Sequence, residues 1–198
     1  MYKLIRATPL LLSTYFWLGL SGHVLAAPVL DQAYDAIGGT SFNGGTASLT
    51  WQQGVTAGLS GRLDSIEMYF NSGASGLGID FFVNLGAPWQ NDTNDFDATL
   101  NLVTGWNSID VSTANMLVTA GDVFAIGVHG LNSSFVPSFS GADTDPYSGG
   151  AIHLNGVLYA TGLYDMNFRT YVDVPEPTSL FLLGLGLAGL GFSTRRVH

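Results

Sequence analysis

The 198-residue chain contains no cysteine, which excludes both a disulfide framework and a thiolate metal site. Cationic side chains are almost as scarce. Of six lysines and arginines, Lys3, Arg6, Arg195 and Arg196 stand at the ends, and only Arg62 and Arg169 lie between Ala27 and Asp173. Set against 14 carboxylates, they leave that segment a formal charge of −12, which makes nucleic acid and acidic lipid surfaces poor partners. With no lysine in the segment, Schiff-base chemistry and a lysine phosphate clamp are also excluded. Its two histidines, His129 and His153, show no His-x-His or His-x-x-x-His spacing for a metal. No Gly-x-Ser-x-Gly elbow precedes a helix, and no helical period runs longer than a turn. These absences argue against an enzyme.

What the body does contain is alternation. Apolar residues recur at every second position among Gly, Ser, Thr, Asn and Asp, which is the pattern of strands. Ile79, Phe81, Val83 and Leu85 alternate with Asp80, Phe82 and Asn84 and predict a half-buried strand. Thr46 to Gln52, Leu63 to Asn71, Ala98 to Val103, Asn107 to Val111, Val123 to Val128, Ile152 to Leu154, Val157 to Tyr159 and Met166 to Val172 complete about nine strands. Asn155-Gly156 predicts a type I′ hairpin turn, which needs positive φ at both central residues. A helix finds room only at Ser112 to Leu117. An echo, Val55-Thr56-Ala57-Gly58 against Val118-Thr119-Ala120-Gly121, suggests equivalent corners. The expected fold is all-β, one β-sandwich of jelly-roll type over residues 27–173.

The ends carry a different chemistry. Lys3 and Arg6 precede an apolar run, Leu10 to Leu20, and Val24-Leu25-Ala26 supplies the small or aliphatic residues that signal peptidase reads. Residues 1–26 therefore read as a signal peptide. At the other end, Val174, Pro175, Glu176 and Pro177 form an extended spacer, because each proline fixes φ and removes a donor. An uncharged Leu/Gly-rich run, 178–194, follows as an expected short transmembrane helix, closed by Arg195 and Arg196 in a basic end, 195–198.

This order of Pro-Glu-Pro, short apolar span and terminal arginine pair resembles the PEP-CTERM sorting signal of exosortase-processed bacterial proteins. The resemblance implies export across the inner membrane, transient retention there, and cleavage by an exosortase near Pro175-Glu176-Pro177, with Glu176 as a recognition residue. It further implies a cell-surface or extracellular location and an association with exopolysaccharide or biofilm. Trp106 to Val111, Thr119 to Ile126 and Asp165 to Val172 are similar to strand signatures in ectodomains of surface-sorted bacterial proteins, which supports the fold and the route and identifies no activity.

Three kinds of site remain open in the body. Trp89 and Tyr147 are candidates to stack on sugar rings in a carbohydrate-binding module, with core packing as the competing reading. Asp92, Asp95 and Asp97 in one loop and Asp143 and Asp145 in another offer hard oxygens to calcium, with a plain solvated loop as the alternative. No other cofactor is expected. A glycan-acting hydrolase would need two facing carboxylates, and nothing in the sequence selects a pair.

Overall fold

The computed structural model describes residues 27–45, 48–71, 76–89, 93–131, 136–175 and 184. Ala26–Pro177 forms one compact unit, and Met1–Leu25 with Thr178–His198 makes up a second. The expected signal peptide, and the expected transmembrane helix apart from Gly184, lie outside the described residues. Among those residues no helix is long and apolar enough to cross a membrane.

The alternating stretches form strands β1 (Val29–Tyr34), β2 (Thr40–Phe42), β3 (Thr50–Thr56), β4 (Gly61–Phe70), β5 (Gly78–Leu85), β6 (Phe96–Asn101) and β7 (Gly105–Asp110). They continue as β8 (Leu117–Val118), β9 (Val123–Gly130), β10 (Phe139–Ala142), β11 (Ile152–Leu154), β12 (Val157–Leu158), β13 (Asp165–Met166) and β14 (Phe168–Asp173). All the pairings are antiparallel, in two sheets. In sheet A, β14 lies between β1 and β4, and β7 pairs with the other edge of β4. Sheet B runs β12-β11-β3-β9-β5-β6. The chain changes sheet at most connections, β2 to β3, β3 to β4, β4 to β5, β6 to β7, β8 to β9, β9 to β10, β10 to β11 and β12 to β13. Four strands ordered β1-β14-β4-β7 against four ordered β3-β9-β5-β6 make a jelly roll. One place in its first sheet is shared by β14 and the shorter β10, which pairs with β2 and with Phe70 of β4.

Period two decides which side chains enter the space between the sheets. From sheet A come Leu63, Ile66, Met68, Phe70, Ile109, Phe168 and Val172, and from sheet B come Trp51, Val55, Ile79, Phe81, Val83, Phe124, Ile126, Val128 and Ile152, all buried. At one end Phe42 stacks on Phe139 with centroids 5.2 Å apart, and Trp51 meets Phe139 edge-on at the same separation. The Trp51 indole N–H donates to the Gly44 carbonyl at 2.7 Å, so the core tryptophan leaves no buried donor open.

Three details differ from the sequence reading, and a fourth adds to it. The strand expected at Thr46 to Gln52 begins at Thr50 and continues to Thr56. Ser112–Ala114 is one 3-10 turn, since a short run between two strands offers no apolar stripe to hold a longer helix. Strand β5 is buried on both faces from Phe81 to Val83 and at Asn84, with Asp80 half-buried. The two echoing corners meet: Ala57 N–H donates to the Asp122 carbonyl at 2.8 Å and Gly121 N–H to the Ala57 carbonyl at 2.7 Å. The Asn155-Gly156 turn has φ of 51° and 76°, as a type I′ hairpin requires.

Candidate functional site

Period two sends Thr50, Gln52 and Gly54 of β3 to the outer face of sheet B, together with Ala125, Gly127 and His129 of β9. Asp80, Phe82 and Asn84 of β5 and Asp97 and Thr99 of β6 join them on that face. This outer face is only partly open to solvent. The segment after β5 turns back over it, so that a side chain at Gly54 would stand 2.9 Å from Pro88, and the Asn84 amide donates to the Thr93 carbonyl at 2.7 Å. The Phe82 ring occupies the place of a Gly127 side chain, 2.2 Å from where its Cβ would stand. Glycine at both positions is what allows the covering groups to lie against the sheet.

Under this cover Gln52 is 1% exposed, and among the described residues its Oε1 has no hydrogen-bond partner. An orphaned buried carbonyl of this kind costs about 1–3 kcal/mol. Beside it, His153 pairs in register with Gln52 and lies 5.5 Å from the Trp89 ring. Burial lowers the His153 pKa, with its contact to the Ala151 carbonyl opposing the shift, so the imidazole is held toward its neutral form.

Away from Trp89 the face opens into a groove of about 270 Å³ lined by Asp80, Asp97, Ala98, Thr99 and His129. The Thr99 hydroxyl donates to Asp80 Oδ1 at 2.7 Å, and Asp80 Oδ2 faces His129 Nδ1 at 3.9 Å. From β11, under Trp89, to β6 is four strand spacings, roughly 19 Å. The face thus joins an aromatic ring to a polar groove rich in acceptors.

Of the candidates read from sequence, Trp89 is 43% exposed and stands on this face. Tyr147 is 7% exposed and belongs to the core. Its ring meets Phe168 edge-on at 5.0 Å, and its hydroxyl accepts from Thr56 N–H and donates to the Thr56 carbonyl. Burial pushes the phenol up to about 12. Tyr147 N–H donates to Asp165 Oδ2 at 3.0 Å, while Gln53 Nε2 donates to Asp165 Oδ1 at 3.0 Å and Gln53 Oε1 accepts from Met166 N–H at 2.7 Å. Asp165 is buried, which raises its carboxyl to about 6 against these hydrogen bonds.

Asp95 Oδ2 accepts from Leu85 N–H at 2.7 Å, and Asp97 Oδ1 accepts from the Asn94 amide. Asp92 lies outside the described residues, and Asp143 and Asp145 are exposed in the loop after β10. Among the described residues no group of three or more His, Asp or Glu could hold a metal ion. The groove residues Asp80, Thr99 and His129 were not singled out by sequence. Alternation turns each outward, but only the β5–β6 and β5–β9 registers bring the three together.

The last described residues of the compact unit lead into the sorting segment. Asp173 closes β14 with an ion pair to Arg62 at 2.9 Å, Val174 packs on the core, and Pro175 is exposed. Glu176, Pro177, Arg195 and Arg196 lie outside the described residues. Residues 173–196 match the PEP-CTERM protein-sorting motif. The PEP-CTERM motif marks an exported protein that is held at the membrane transiently and processed by an exosortase. It begins at the last residue of β14, so the jelly roll and the PEP-CTERM segment abut. No curated protein matches the chain.

Proposed function

We propose that the jelly roll is a non-catalytic module that associates with extracellular polysaccharide once the PEP-CTERM tail has delivered it to the cell surface or surrounding matrix. The observation that carries this reading is the outer face of sheet B, where the exposed Trp89 and the Asp80–Thr99–His129 groove share one surface. An indole offers an apolar face to the C–H side of a sugar ring, and carboxylate, hydroxyl and imidazole groups offer acceptors and donors to its hydroxyls. The net negative charge favours neutral glycans over acidic ones. Signal peptidase and an exosortase are its processing enzymes on this reading, and no metal takes part.

The test is affinity electrophoresis of the full chain through gels containing polysaccharide extracted from the producing cells. Retardation of the wild type, reduced at least fivefold in Trp89→Ala and in Asp80→Ala, supports the reading. Unchanged mobility of the wild type overturns it, and release of new reducing ends from the polysaccharide overturns its non-catalytic part.

A further inference from the structure

The loop joining β10 to β11 contains the sequence Asp143-Thr144-Asp145-Pro146-Tyr147. Asp145 has φ of 49°, a left-handed conformation uncommon for a residue with a side chain. Its position is more demanding because it precedes proline, whose Cδ crowds the residue before it and disfavours helical backbone there. The flanks are anchored. Asp145 N–H donates to the Leu163 carbonyl at 2.9 Å, and Tyr147 is fixed through its N–H on Asp165 and its hydroxyl on Thr56. Asp145 and Pro146 themselves are exposed, and among the described residues the Asp145 carboxylate makes no hydrogen bond or ion pair.

A free carboxyl group is thus tethered beside its own backbone carbonyl, in a constrained conformation, with a tertiary amide nitrogen as the leaving group. We propose that the Asp145–Pro146 peptide bond is a self-cleavage site of this protein. An Asp145 side-chain oxygen adds to the Asp145 carbonyl carbon, the C–N bond to Pro146 breaks, and the carboxyl proton passes to the proline nitrogen. The five-membered cyclic anhydride left on Asp145 is opened by one water molecule, giving a new C-terminal aspartate and a new N-terminal proline. The tether makes the attack intramolecular, and cleavage releases the pre-proline constraint.

The consequence is set by topology. The piece from Pro146 onward supplies β11 and β12 to sheet B and β13 and β14 to sheet A, so a cut chain stays assembled. The PEP-CTERM segment lies on that same piece. Cleavage would therefore leave the sandwich joined to its sorting tail through strand pairing and packing alone.

The full chain in detergent, incubated at pH 5 in water enriched in oxygen-18, tests this by denaturing and native mass spectrometry. The expected result is two pieces meeting at Asp145 and Pro146, with the heavy isotope in the new Asp145 carboxylates and both pieces retained in one native particle. The folded chain should cut at least tenfold faster than the same chain in guanidinium at the same pH. Asp145→Gly, which accepts the positive φ but lacks the nucleophile, should keep the β-rich circular dichroism and remain whole. An intact folded wild type, an equal rate in the unfolded chain, or cutting that persists in Asp145→Gly would each overturn the proposal.

Discussion

The two sheets of the sandwich turn outer faces of different character to their surroundings. On sheet A, Arg169 pairs with Glu67 at 3.0 Å and with Asp35 at 3.2 Å, and its guanidinium stands 4.1 Å over the Trp106 ring. Tyr171 adds a hydrogen bond to Glu67 at 3.3 Å, and Tyr69 meets Trp106 edge-on at 5.4 Å. Each of these charges meets its opposite. On sheet B a buried glutamine oxygen has no partner among the described residues, and the sheet is stripped to glycine where Pro88 and Phe82 lie upon it. Sheet A thus carries a charged network closed on itself, with the buried Asn167 Oδ1 beside it unpartnered among the described residues, whereas sheet B carries the open groove at Asp80, Thr99 and His129. On the proposed reading, recognition falls to the second of these faces.

Substitutions can break or sharpen this contrast. The largest effect is expected at Gly127. Valine there displaces the Phe82 ring and overpacks the outer face of sheet B, lowering stability by about 2–3 kcal/mol in urea denaturation, with loss of polysaccharide retention. Arg169→Ala removes two partly exposed ion pairs and the contact with Trp106, and should cost about 1–2 kcal/mol. Polysaccharide retention should survive this change, and if retention disappears instead, sheet A is the binding face. Gln52→Leu removes the orphaned carbonyl and should raise stability by about 1 kcal/mol, shown as a higher urea midpoint at constant slope. A loss of stability in this variant would mean that the covering of sheet B depends on the glutamine.

How far these features could be read in advance depended on whether they were local. Met166, Phe168, Thr170 and Val172 share a buried face, as their spacing implies, and the Asn-Gly hairpin forms because its turn needs only its own two residues. Burial of Phe82 was hidden, since it depends on a glycine, Gly127, standing directly opposite it in β9 and leaving room for the ring. Phe139–Ala142 was missed as a strand: Phe-Ser-Gly-Ala has little propensity of its own and is held by register with β2 and β13. Tyr147 was a candidate to stack on sugar rings, yet it enters the core, the competing reading, because Thr56 and Asp165 satisfy its polar groups. Trp89 carried a local signal in its proline neighbour, whereas the groove at Asp80 exists only through three-strand pairing.

The pairing of β1 with β14 joins groups 138 residues apart, from Gln32 to Thr170. For a chain that passes through a membrane N-terminus first, this separation acts as a timer. The leading strand emerges with no neighbour to bond and waits for the trailing one, and closing so long a loop is slow. Sheet A therefore stays incomplete for most of such a transit. The strand that completes sheet A ends where the sorting motif begins, so maturation of the fold and presentation of the tail fall at the same moment.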